Sequence, residues 1–190
     1  AVSAVAAGIA TIILVGSTDA VTKQLSDIGS APSDAIRIED PATSTLTAEV
    51  AQTYFEIRQH KGVSMEVAEK QALDPLVFAA LLVRNGHADG TVGGAVATTS
   101  DTVRAALQVI GKAKTAPLVS SFFLMVLPEG HPSGRGGMIY SDCGLVIDPS
   151  AEELAAIAQQ SATSCLAIMN ETPKVAMLSY SSGSSGKGEE

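Results

Sequence analysis

Apolar runs short enough to be strands alternate along this chain with helical patterns, and no other feature restricts its fold as much. The strand-length runs fall at 9–16, 35–39, 90–97, 119–128, 138–147 and 174–180. The helical patterns fall at 19–27, 46–60, 65–72, 76–85, 102–112 and 151–169. Leu46, Val50, Tyr54 and Ile57 recur at the spacing of one helix face. Ser150 followed by Glu153 forms a capping box at the start of the long Ala-rich helix, and Asn85-Gly86 closes the helix before it. Strands separated by helices need crossover connections, so the expected class is α/β with a mainly parallel sheet. The runs 119–128 and 138–147 are separated only by a Gly/Pro-rich link and are expected to pair as an antiparallel hairpin. Residues 114–117 (Lys-Thr-Ala-Pro) break the pattern, which marks a domain change.

A chain of 190 residues can bury one good core or two small ones. Its net charge of −8 argues against nucleic acid as a partner, so any anion must be held at a locally built site. No apolar stretch is long enough to span a bilayer. Cys143 and Cys165 are the only cysteines and stand far apart, which suits a reduced pair in the cytoplasm. Residues 1–7 read as the end of a helix, followed by a Gly turn and a strand, rather than as a signal peptide. The chain stops just after a strand and its loop, so a longer polypeptide is expected.

The chemistry concentrates in the run from His87 to Arg104. A buried strand reading (91–96) leads through small residues into the hydroxyls of Thr98, Thr99 and Ser100, where a helix opens. Free N–H groups at a helix start, hydroxyls and a guanidinium together suit a phosphate or phosphoester. With Ser100 as N-cap, the Arg104 side chain leans back toward those hydroxyls. The plain alternative for Arg104 is a surface arginine on an amphipathic helix. Arg58 stands near the end of the helix 46–60, where a cation also offsets the helix dipole. The Gly/Ser-rich stretch after Ser179 follows a strand end and forms an anion-friendly nest, with Ser181 and Ser182 in it. Its spacing is not that of a nucleoside-triphosphate loop. His87 and Asp89 read as turn residues, Asp142-Cys143 lacks a second ligand pair, and no metal site is expected.

Several blocks, in order, resemble the phosphate acetyltransferase (phosphotransacetylase) family of the phosphate acetyl/butyryl transferase superfamily. The segment Asp89-Gly90-Thr91-Val92-Gly93-Gly94-Ala95-Val96-Ala97-Thr98-Thr99-Ser100-Asp101-Thr102-Val103-Arg104 is similar to its D-G-x-V-x-G-A-x-x-[ST]-[ST]-x-[DN]-T-[LIV]-R element. Arg58-Gln59-His60-Lys61-Gly62 resembles its R-x-H-K-G element. Further matches are Val119 to Leu127, Tyr140 to Gly144, Asp148 to Leu154, and Pro173 to Ser181.

The resemblance implies two α/β domains with a cleft between them, similar to isocitrate and isopropylmalate dehydrogenases. Residues 1–115 would form most of domain one, and 116–190 the truncated first part of domain two. It implies an acyltransferase that moves acetyl between coenzyme A and inorganic phosphate, with coenzyme A or acetyl-CoA and phosphate or acetyl phosphate as substrates. No cofactor is implied, and a cytoplasmic homodimer is. Arg104 would be catalytic, with Arg58, Thr98, Thr99, Ser100, Ser181 and Ser182 binding substrate. Alternatives are a phosphate butyryltransferase and a non-catalytic acetyl-CoA-sensing domain like that fused to malic enzymes. The family's N-D-L-S-R-G signature, with the aspartate that serves as base, does not occur in these residues. By themselves they are therefore expected to be inactive.

Overall fold

The computed structural model describes residues 1–132 and 136–178. The chain divides into two units, Ala1–Gly111 and Lys112–Glu190. The first runs α1 (Val2–Ala6), β1 (Ile12–Val15), α2 (Thr18–Asp27), β2 (Ile36–Glu39), α3 (Thr47–Arg58), α4 (Met65–Ala72), α5 (Pro75–Arg84) and α6 (Thr99–Val109). A 3-10 turn, Gln59–Lys61, extends α3. The second unit contains β3 (Phe122–Val126), β4 (Gly137–Ser141) and α7 (Ala151–Met169).

The sequence of α5, PLVFAALLVR, is apolar on nearly every face, and such a helix can be stable only when surrounded. It starts sharply. Asp74 Oδ1 accepts from the N–H groups of Leu76 (2.9 Å) and Val77 (3.1 Å), and Pro75 fills a position where no N–H is needed. Val77, Phe78, Ala80, Leu81 and Leu82 are buried there. Val50, Ala51 and Tyr54 of α3, Ala68 and Ala72 of α4, and Ala105 and Val109 of α6 complete the core. Ile13 and Val15 of β1 pack against it, and β1 pairs in parallel with β2.

Hydrogen bonds fix the direction of the three central helices. Arg84 Nη1 donates to the Val109 carbonyl at 2.9 Å, joining the C-terminal ends of α5 and α6. At their N-terminal ends Gly93 lies against Leu76 and Gly94 against Thr102, so α5 and α6 run parallel. Glu49, in the first turn of α3, accepts from Asn85 Nδ2 at 2.9 Å, just beyond the end of α5. Helix α3 therefore runs opposite to the other two. The Tyr54 hydroxyl donates to Gln108 Oε1 at 3.3 Å and ties α3 to the last turn of α6.

In the second unit β3 and β4 form the expected antiparallel hairpin, with Phe122 opposite Ser141 and Val126 opposite Gly137. Asp142 ends β4. Its carboxylate accepts from Ser121 N (2.7 Å), Ser121 Oγ (2.7 Å), Gly144 N (2.7 Å) and Leu145 N (2.9 Å). Burial raises its pKa, but these four donors outweigh burial and hold it well below the usual carboxylate range. Helix α7 opens with the expected capping box, Ser150 with Glu153. Its Gln160 donates to the Leu118 carbonyl (3.1 Å) and accepts from Ser120 Oγ (3.0 Å). All five residues of β3 are exposed.

Three expectations need correcting. The segment 90–97 is not a strand: Val92 and Val96 are fully exposed, and Gly94 has φ +101°, which interrupts extended pairing. Residues 174–178 are likewise irregular, and 179–180 lie outside the described residues. The sheet is not mainly parallel among the described residues, which hold one parallel and one antiparallel two-stranded pair. The α/β class itself stands.

Candidate functional site

The helix expected at 102–112 begins three residues earlier, because Thr98 rather than Ser100 caps it. Thr98 Oγ1 accepts from the Asp101 N–H at 3.1 Å and donates to Asp101 Oδ2 at 2.7 Å. The Thr98 hydroxyl, expected to contact substrate, is engaged by its own helix. The Thr99 hydroxyl makes no hydrogen bond among the described residues. Ser100 Oγ accepts from Arg104 Nη2 at 3.2 Å.

Arg104 does lean back along α6, as helical side chains do. Its Nη1 donates to Asp101 Oδ1 at 2.8 Å, an i,i+3 pair, and its side chain keeps 58% exposure. The hydrogen bond from Thr98 leads in holding the Asp101 carboxyl below its usual range, with Arg104 adding to it. Asp101 was not singled out in the sequence, although an Asp three residues before an Arg on a helix is a signal for such a pair.

Arg58 ends α3, and its Nε is buried without a hydrogen-bond partner, the sole such side-chain atom among the described residues. Buried polar atoms nearly always have partners, and the described residues supply none to this one. Because α3 runs opposite to α6, the C-terminal end of α3 and the N-terminal end of α6 lie at the same end of the helical layer. Tyr54 and Gln108 touch. One turn further along each helix toward that end come Arg58 and Arg104 (i+4 on α3, i−4 on α6). Gly93 and Gly94 bring the backbone before α6 close to Leu76 of α5 and Thr102 of α6. A Cβ on Gly93 would stand 3.0 Å from Leu76 Cδ2, and one on Gly94 3.3 Å from Thr102 Oγ1.

Ser181 and Ser182 lie outside the described residues. Among the described residues no cluster of His, Cys, Asp and Glu could hold a metal, and no helix is long and apolar enough to cross a membrane. His87 is more than a turn residue: its Nε2 lies 2.9 Å from Glu49 Oε1, at the opposite end of the helices from the arginines.

The family model for phosphate acetyl/butaryl transferase matches residues 1–190. The chain is 54% identical over 148 residues to a phosphate acetyltransferase of Paracoccus denitrificans, a match over 78% of this chain and 46% of that protein. It is 40% identical over 182 residues to one of Clostridium acetobutylicum, over 96% of this chain and 54% of that protein. Among solved structures, a phosphotransacetylase from Streptococcus pyogenes superposes with a TM-score of 0.81 at 32% identity, covering 99% of this chain and 55% of that one. The EutD phosphotransacetylase from Staphylococcus aureus gives 0.76 at 35% identity, covering 93% and 51%. The chain thus spans about half the length of the relatives it matches. With the match running from the first residue to the last, and the fold shared with solved phosphotransacetylases, the chain belongs to the phosphate acetyl/butaryl transferase family.

Proposed function

We propose that the protein is a phosphate acetyltransferase, exchanging acetyl between coenzyme A and inorganic phosphate. The observation that carries this reading is the unpartnered, buried Arg58 Nε at the end of the layer that also bears Arg104. Two cations and a helix N-terminus there suit the phosphoryl groups of acetyl phosphate and coenzyme A. The relatives named above are acetyl rather than butyryl transferases, which favours the smaller acyl group.

In this reading Arg104 holds the phosphoryl group of acetyl phosphate and stabilises charge as the coenzyme A thiolate attacks the carbonyl carbon. The thioester bond forms, the carbon–oxygen bond to phosphate breaks, and phosphate leaves on the same arginine. Arg58 holds a phosphate of coenzyme A, and Thr99, Ser100, Ser181 and Ser182 offer hydroxyls to the substrates. The fold would be of the kind seen in isocitrate dehydrogenases, and the protein a cytoplasmic homodimer.

The test is thioester formation from acetyl phosphate and coenzyme A by the full-length protein. Arg58→Gln should raise the KM for coenzyme A by about 10- to 150-fold, the value of one lost charge-assisted bond of about 1.5–3 kcal/mol. Absence of thioester with the wild-type protein, or an unchanged KM in the variant, overturns the reading.

A further inference from the structure

We infer that Asp101 is a positioning residue for Arg104, fixing the face that its guanidinium turns to the phosphoryl group. This rests on the function proposed above. A guanidinium carries five N–H donors in one plane, and a long arginine side chain left free samples many orientations. Here two contacts remove that freedom. Asp101 Oδ1 takes Nη1 at 2.8 Å, and Ser100 Oγ takes Nη2 at 3.2 Å. Both partners sit on the first turn of α6, so the plane is referenced to the helix that carries it. Among the described residues Nε and the remaining N–H groups make no hydrogen bond, which leaves them to an incoming anion.

Asp101 is itself held. Its second oxygen accepts from Thr98 Oγ1 at 2.7 Å, and its own N–H donates back to that hydroxyl at 3.1 Å. The carboxylate cannot swing away with the arginine without losing the hydrogen bond from the Thr98 hydroxyl. Thr98, Asp101 and Arg104 thus form one chain from cap to clamp, in which Asp101 never needs to touch the substrate. The Thr98 hydrogen bond first, and Arg104 after it, hold the carboxyl below its usual range. A neutral side chain of the same shape would keep the cap but lose the charge-assisted hold on Nη1.

The test is steady-state kinetics of the full-length enzyme carrying Asp101→Asn, Asp101→Glu and Asp101→Asn combined with Arg104→Ala. Misplacing a clamp by about 1 Å costs on the order of ten- to a hundredfold. Asp101→Asn should therefore lower kcat/KM for acetyl phosphate by that factor while leaving the KM for coenzyme A and the thermal midpoint unchanged. Asp101→Glu, which restores a carboxylate, should recover part of the loss. In the Arg104→Ala background Asp101→Asn should add nothing. A KM for coenzyme A raised as much as that for acetyl phosphate, no loss at all, or a full additional loss in the double variant overturns the positioning role. Wild-type protein without transfer activity is a different result: it overturns the proposed function before any variant is compared.

Discussion

Leu81 provides the sharpest test of how the first unit is held together. It lies in the middle of α5 with none of its surface exposed, in one cluster with residues of α3, α4 and α6. Leu81→Ala removes three carbons. At about 0.8 kcal/mol each, their transfer to water costs about 2.4 kcal/mol. A helix packed on several sides cannot collapse fully into the gap, and a residual void of roughly 60 Å³ at about 24 cal/mol per Å³ adds about 1.4 kcal/mol. The sum, about 4 kcal/mol, is a large part of the 5–15 kcal/mol that domains of this size typically have. Urea unfolding followed by far-ultraviolet circular dichroism measures it, as a lower midpoint with an unchanged slope. Leu81→Met, which keeps the volume, should cost less than about 1.5 kcal/mol. A Leu81→Ala loss under about 1 kcal/mol would refute the argument, because it would mean that α5 is not enclosed as described.

Asp142 predicts an acid-sensitive hairpin. Its folded pKa lies below the unfolded one, so its contribution is fully present above the ordinary carboxylate pKa of about 4 and fades as the pH falls through and below that value. Asp142→Asn should lower the thermal midpoint at neutral pH and flatten its decline toward acid, and parallel pH profiles for the two proteins would contradict this. Gly94→Ala should destabilise by about 1–2 kcal/mol, since φ is +101° and the new Cβ would press on Thr102 Oγ1. The same variant should weaken phosphate binding measured by calorimetry, because it displaces the first turn of α6; unchanged affinity would separate that loop from the site.

What the sequence revealed follows from where each signal is local. Helices α4 and α7 were legible to the residue, because Ser64 and Ser150 cap them and their apolar spacing ends where they end. The hairpin β3–β4 was legible from two adjacent apolar runs. The segment 90–97 misled, because valines among glycines have strand composition, while pairing depends on a neighbour that composition cannot name. In the site, the hydroxyl cluster and both arginines stood out by residue type. The cap did not, because Thr98 and Ser100 are chemically alike and only backbone geometry chooses between them. Asp101 was passed over for a related reason: its meaning lies in its partners rather than in its own type.

The arginine end of α3 and α6 lies in a chain whose net charge is −8. An anionic ligand therefore meets two fields of opposite sign. Far from the surface it is repelled by the whole chain, and only within contact range do the guanidinium groups draw it in. Dissolved salt distinguishes the two, because charges more than about 8 Å apart are already screened at physiological ionic strength while touching ones are not. Raising ionic strength from a very dilute buffer should accordingly speed the encounter, the reverse of the trend for a basic protein steering an anion. If the two arginines hold the substrates as proposed, the site selects by fit at close range, not by long-range attraction.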